Sequence, residues 1–121
     1  MDLVAIRGSA KERSVQHENH IADAYKGKRS PSSGASDTDQ GDVRTDTRLI
    51  ECKTTGGPEK PSRLPTFIQH LEKVCLEAWE EGREGSVALR YYAPESKLAI
   101  NGWIDVIVST VGNDAFRDLM R

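Results

Sequence analysis

Asp42, Glu51 and Lys53 are the residues of this 121-residue chain whose types and spacing could do chemistry together. Asp42 follows Gly41 and opens the run Asp42-Val43-Arg44. Glu51 and Lys53 lie in Leu49-Ile50-Glu51-Cys52-Lys53-Thr54-Thr55, which begins apolar and reads as a strand. Successive strand side chains alternate faces, so Glu51 and Lys53 share one face and Cys52 takes the other. Carboxylates and an ammonium gathered on one surface are poor core packing but a good divalent-cation site. Asp42 and Glu51 supply hard oxygen ligands, and the backbone carbonyl of Cys52 supplies a neutral one. Lys53, protonated, is no ligand. Its roles would be to orient or deprotonate a water and to offset charge on a phosphorus under attack. Mg²⁺, with Mn²⁺ as its substitute, would acidify that water and polarise the phosphoryl oxygen. The plainer alternatives are a salt-bridged surface strand and an Asp42 that serves only the turn after Gly41. Asp39 or Asp46 could also replace Asp42 as the ligand.

A third carboxylate comes from an earlier element. Ser9 and Glu12 have the spacing of a helix-capping box, and Val15, Ile21, Ala22 and Tyr25 follow at helical intervals, so residues 9–26 read as a helix ended by Gly27. Glu18, in mid-helix, could reach the rim of the site as a ligand of a second cation or through water. Glu12 is the alternative, though capping explains it more simply. Residues 27–40 form a polar Ser/Gly/Pro loop, free to move unless a ligand orders it. Two strands, 42–44 and 47–54, are joined by a turn at Thr45-Asp46-Thr47. A second, strongly amphipathic helix starts at Pro65 and carries Phe67, Ile68, Leu71, Val74, Cys75, Ala78 and Trp79 on its apolar stripe, with Gly82 as its stop. Strands follow at 86–92 and 103–108, the latter the most apolar and expected at the centre, with Leu98-Ala99-Ile100 extending a strand. A short helix at 115–120 closes the chain. The order α-β-β-α-β-β-α predicts an α/β fold, a mixed central sheet flanked by helices.

Length allows one domain, residues 1–121. No apolar run is long enough for a membrane helix, and the N-terminus is too short and acidic for a secretory signal, so a cytoplasmic protein with no membrane partner is expected. Cys52 and Cys75 are read as reduced thiols, and Cys75, Trp79 and Trp103 as core or interface residues. The net charge of −2 argues against a generic nucleic-acid coat protein. Its distribution is more informative, because residues 1–65 hold 11 of the 17 Lys and Arg. Lys26, Lys28 and Arg29 cluster before the polar loop and Arg44 and Arg48 flank the strand, a local positive potential suited to a phosphate backbone. An ordinary mixed-charge surface is the alternative. Gln69 and Lys73 on the second helix could reach the site or DNA, or face solvent. His17, His20 and His70 lack the spacing of a zinc site and read as surface histidines or residues behind the site.

Helix-Glu18, then Ser33-Gly34-Ala35, Gly41-Asp42-Val43 and Leu49-Ile50-Glu51-Cys52-Lys53-Thr54-Thr55, resembles the PD-(D/E)xK nuclease superfamily, and within it the small Holliday-junction resolvases of phages and archaea. The resemblance spans the chain in element order, with its motifs confined to residues 18–55. It implies a restriction-endonuclease-like fold and a Mg²⁺-dependent, structure-specific DNA endonuclease of recombination and repair. Glu18, Asp42, Glu51 and Lys53 would be catalytic, and Ser33 functional in the loop. It also implies a homodimer acting on four-way junctions, in the host cytoplasm if phage-encoded. The chain lacks a Pro before Asp42 and is less basic than archaeal resolvases. The rival readings are a nuclease of the same fold acting on flaps, forks or duplex ends, and a non-catalytic DNA-binding or assembly module.

Overall fold

Helix α1 spans Ala10–Tyr25 in the computed structural model, which describes residues 10–30, 42–56 and 67–110. Its end is a Schellman turn: the Gly27 amide donates to the Ala22 carbonyl, and Lys26 takes the left-handed conformation (φ 55°). Gly27 is needed there for space. A Cβ would meet Val43 Cγ1 at 2.7 Å and the Arg44 carbonyl at 2.8 Å. The chain then enters strand β1 (Lys28–Arg29), where sequence alone implied loop. Strands β2 (Asp42–Arg44) and β3 (Arg48–Thr55) form the expected hairpin. The Thr45 hydroxyl accepts the amides of Thr47 and Arg48 and fixes the turn.

Helix α2 (Phe67–Glu80) buries Leu71, Val74, Cys75 and Ala78, as its periodicity predicts. It ends in a second Schellman turn, with the Arg83 amide on the Ala78 carbonyl and Gly82 at φ 70°. Strands β4 (Glu84–Tyr92) and β5 (Trp103–Ser109) follow. Asn101 and Gly102, both at positive φ, make the tight turn into β5, and Ile100 contributes a single bridge to Trp103 rather than a strand.

The sheet has five strands in the order β1-β2-β3-β4-β5, antiparallel except for the parallel β3–β4 pair that α2 connects. The α/β class and the flanking of a mixed sheet by helices hold. Two expectations change. The described order is α-β-β-β-α-β-β, because the backbone at residues 28–29 pairs with β2, a contact that side-chain pattern does not announce. The apolar β5 is an edge strand, and the central position belongs to β3. An apolar run ordinarily marks a strand covered on both faces. Here the covered strand carries Glu51 and Lys53, and Val106 of β5 is 40% exposed. The helix expected at 115–120 lies outside the described residues.

The helices cover opposite faces. Leu49, Val87 and Leu89 point to α2 and pack on Leu71, Val74, Cys75 and Ala78. Ile50, Cys52 and Ala88 point to α1 and pack on Ile21, Ala22 and Val43. Cys52 and Cys75 are therefore free thiols on opposite sides of the sheet, as their reduced reading requires. Gly85 sets the approach of α2 to β4, because a Cβ would come within 2.7 Å of Cys75 Cα and 2.8 Å of its amide nitrogen. Gly85→Ala is expected to destabilise the protein by about 1–3 kcal/mol by pushing α2 from the sheet. Gly82→Asn, in open space and in a residue type that tolerates positive φ, is expected to change stability by less than about 1 kcal/mol. Urea denaturation of both variants checks the contrast.

Candidate active site

Strand pairing brings the two motif carboxylates together. Asp42 stands directly opposite Glu51 in the β2–β3 register. The Thr45 amide bonds to the Arg48 carbonyl, and hydrogen-bonded pairs alternate along an antiparallel ladder. Val43–Ile50 is then a bonded pair and Asp42–Glu51 an unbonded one, the type in which facing side chains lie closer. The Asp42 carbonyl accordingly turns outward, accepting the Ser30 amide. By the same alternation Cys52 turns its carbonyl to the β2 side just beyond Asp42, where the described pairing ends. Lys53, half-buried two residues along β3, keeps to the face of Glu51.

That face is the one α2 covers. His70 and Lys73 lie one helical turn apart, and Glu77 and Glu81 continue the same stripe. His70 Nδ1 is 3.6 Å from Glu51 Oε2, and Lys73 Nζ is 3.7 Å from Oε1. Arg44 makes a two-point ion pair with Glu81, at 2.9 and 3.0 Å. The Glu51 side chain is only 7% exposed, yet its Oε2 has no hydrogen-bond partner among the described residues. A buried carboxylate oxygen without a donor is expensive, and such groups call for an ion or water. Burial, and next the Glu51 charge, push the Asp42 carboxyl from 3.8 up to about 6, with Glu77 adding to the effect and Arg44 and Lys73 opposing it. Among the described residues no three His, Cys, Asp or Glu side chains converge to hold a metal ion by themselves. Two carboxylates with a backbone carbonyl fit Mg²⁺, which keeps several waters and completes its octahedron with substrate phosphate oxygens.

Glu18 lies elsewhere. It is buried at 2% exposure on the α1 side of the sheet, and Arg29 Nε donates to its Oε1 at 3.1 Å. The Glu18 and Asp42 charges both act on Cys52, which lies next to Glu51 on β3. Glu12 and Asp46 are both exposed. Ser33 and Asp39 lie outside the described residues. The basic residues divide between the two faces: Lys28 pairs with Arg44 on the α2 side, whereas Arg29 pairs with Val43 on the α1 side. Lys26 is exposed at the end of α1, and Arg48 bonds to Ser86 behind the sheet.

The α1 side holds a network that sequence reading missed. Arg90 donates to both Asp105 oxygens, at 2.7 and 2.8 Å, and His20 Nδ1 contacts the same carboxylate. His17, read from sequence as a surface or supporting histidine, is fully buried, with Nδ1 3.2 Å from the Thr54 hydroxyl. Burial drives its pKa down to about 3, so the imidazole is neutral. Burial tends to raise the Asp105 carboxyl, but the Arg90 bonds and charge, with the His20 contact, outweigh it and hold it low. The missed signal was pairwise: His17 and His20 meet the strand residues Arg90 and Asp105, far away in sequence.

The Asp42 shift has a signed consequence. A carboxyl whose folded pKa exceeds its unfolded value binds its proton more tightly in the folded chain. Stability is then greatest below 3.8, falls as pH rises from there to about 6, and stays lower above. Asp42→Asn is expected to stabilise the cation-free protein at about pH 7.5 by on the order of 1–2 kcal/mol, seen as a higher Tm, with the gain vanishing towards about pH 4. Thermal melts in a chelator across that range check it, and a variant no more stable at the higher pH contradicts it. A comparison of the chain with family models, curated proteins and solved structures returned no match.

Proposed function

We propose that the protein is a Mg²⁺-dependent endonuclease that hydrolyses phosphodiester bonds in branched DNA, a four-way junction being the preferred substrate. The observation that carries this reading is the Asp42–Glu51 pair with its unpartnered, buried Oε2, set on the central strand beside Lys53. This matches the PD-(D/E)xK pattern that the motif residues resemble. Asp42, Glu51 and the Cys52 carbonyl would hold the cation, and Mn²⁺ would substitute for it. When bound, it supplies an acidified water and a polarised phosphoryl oxygen.

The chain's own residues do the rest. Glu51 is held rigid by β2 on one side and β4 on the other, so the ligand pair is preorganised rather than assembled on binding. Lys53 makes no ion pair among the described residues and is left to position the attacking water and to offset the charge that grows on phosphorus. Lys28 and Lys26 are exposed near the same sheet edge and would meet the flanking phosphates. Cutting two opposed strands of a two-fold junction needs two sites, so the reading includes a homodimer. Leu98, Ile100 and Val106, exposed beside the β5 edge, offer apolar surface for it.

With Mg²⁺ and a synthetic four-way junction, Asp42→Asn and Lys53→Ala are each expected to lower the cleavage rate by about 10²–10⁴-fold. Equal rates in wild type and both variants would exclude the mechanism. Flap and linear substrates assayed alongside decide the preferred DNA shape.

A further inference from the structure

Lys73 is a solvent-facing residue of α2, its side chain 71% exposed, and an ordinary role would be a local helix salt bridge. Glu77 stands four residues on, ready for one. The ion pair that Lys73 makes among the described residues is instead with Glu51, across on β3. The separation of 3.7 Å is beyond hydrogen-bond length, and His70 approaches the other oxygen no closer than 3.6 Å. Glu51 is thus flanked by two α2 side chains, of which Lys73 offsets its charge from a distance, and neither satisfies Oε2. The charge of Lys73 also acts on Asp42, so one mobile ammonium serves both carboxylates. The Lys73 end of the pair is open to solvent, which screens it, so the ammonium leaves more easily than it would from a fully buried pair.

We propose that Lys73 is the stand-in cation of the site, lying against Glu51 until a divalent ion displaces it and then taking a non-bridging oxygen of the bound phosphate. The inference rests on the function proposed above. Lys53 and Lys73 then have separate duties. Lys53, half-buried on a central strand, stays by the reacting atoms, whereas Lys73, on a long exposed side chain, exchanges one anionic partner for another. The exchange keeps the ammonium paired with an anion in both the empty site and the loaded complex. The carboxylate pair loses an ammonium as it gains a metal ion, and the phosphate gains that ammonium as it arrives. Lys73 is a positioning residue in this scheme, and the bond-breaking chemistry does not pass through it.

Calorimetric titration with Mn²⁺ alone, at low salt and without DNA, tests the first half. Lys73→Gln is expected to bind Mn²⁺ about two- to fivefold more tightly than wild type, because a competing charge is gone, and Lys73→Arg to bind it as wild type does. The second half is read from junction binding with Mn²⁺ in a Lys53→Ala background, which holds the substrate uncut. There Lys73→Gln is expected to lower the slope of log affinity against log salt by about 0.9, the loss of one phosphate contact. Mn²⁺ affinity in Lys73→Gln equal to or weaker than wild type, or an unchanged salt slope, would overturn the inference. Wild type that binds no Mn²⁺ is a different result, and removes the cation-site reading itself.

Discussion

The register of the β2–β3 hairpin is the constraint on which the rest of the site depends. It sets Asp42 opposite Glu51 and sends both side chains to the α2 face. The same register sends Val43 and Ile50 to the α1 face, where both are fully buried. A slip of one residue would expose that apolar pair and separate the carboxylates, so burial on one face enforces charge proximity on the other. The turn is secured from outside as well. Arg83 Nε donates to the Thr45 carbonyl, and the Glu84 amide donates to that of Thr47, so the end of α2 and the start of β4 grip the hairpin.

Opposite faces of the sheet hold different electrostatic solutions. On the α1 side the ion pairs are matched, Arg29 with Glu18 and Arg90 with Asp105, although Nε2 of the buried His17 also has no hydrogen-bond partner among the described residues. On the α2 side two carboxylates face each other across the β2–β3 pair. Asp42 resists ionisation there, and a buried oxygen of Glu51 lacks a donor. Matched groups stabilise or at least do not harm a fold, whereas unmatched buried ones persist at a cost that a ligand can relieve. Asp42 and Glu51 are the pair on which the proposed cation site rests, whereas Glu18 ties α1 to β1 through Arg29. The third carboxylate of the motif thus belongs to the helix that covers the other face of the sheet.

Much of the fold was legible because it rests on local signals. The α2 stripe repeats at helical spacing over four buried residues, Gly82 marks its end, and Thr45-Asp46-Thr47 marks the hairpin. Where reading failed, the determinant was not local. Strand β1 is two polar residues that exist as a strand because β2 passes beside them. Apolar content placed β5 at the centre, but strand order depends on which backbone edges meet. The parallel pairing through α2 gave the centre to β3, charges included.

By itself the sequence determined which residues could share a face, because strand alternation and helical periodicity are properties of the backbone. Glu51 with Lys53, and His70 with Lys73, follow from spacing alone. Only the tertiary structure decided which of those faces meet. It turned the Glu51 face to α2, brought His70 and Lys73 to within 3.6 and 3.7 Å of Glu51, and left Glu18 on the far side with Arg29. The physical reason is that a sheet is a barrier with two sides. A strand's own sequence fixes how its side chains divide between the sides, and only the packing of α1 and α2 assigns each side its neighbours.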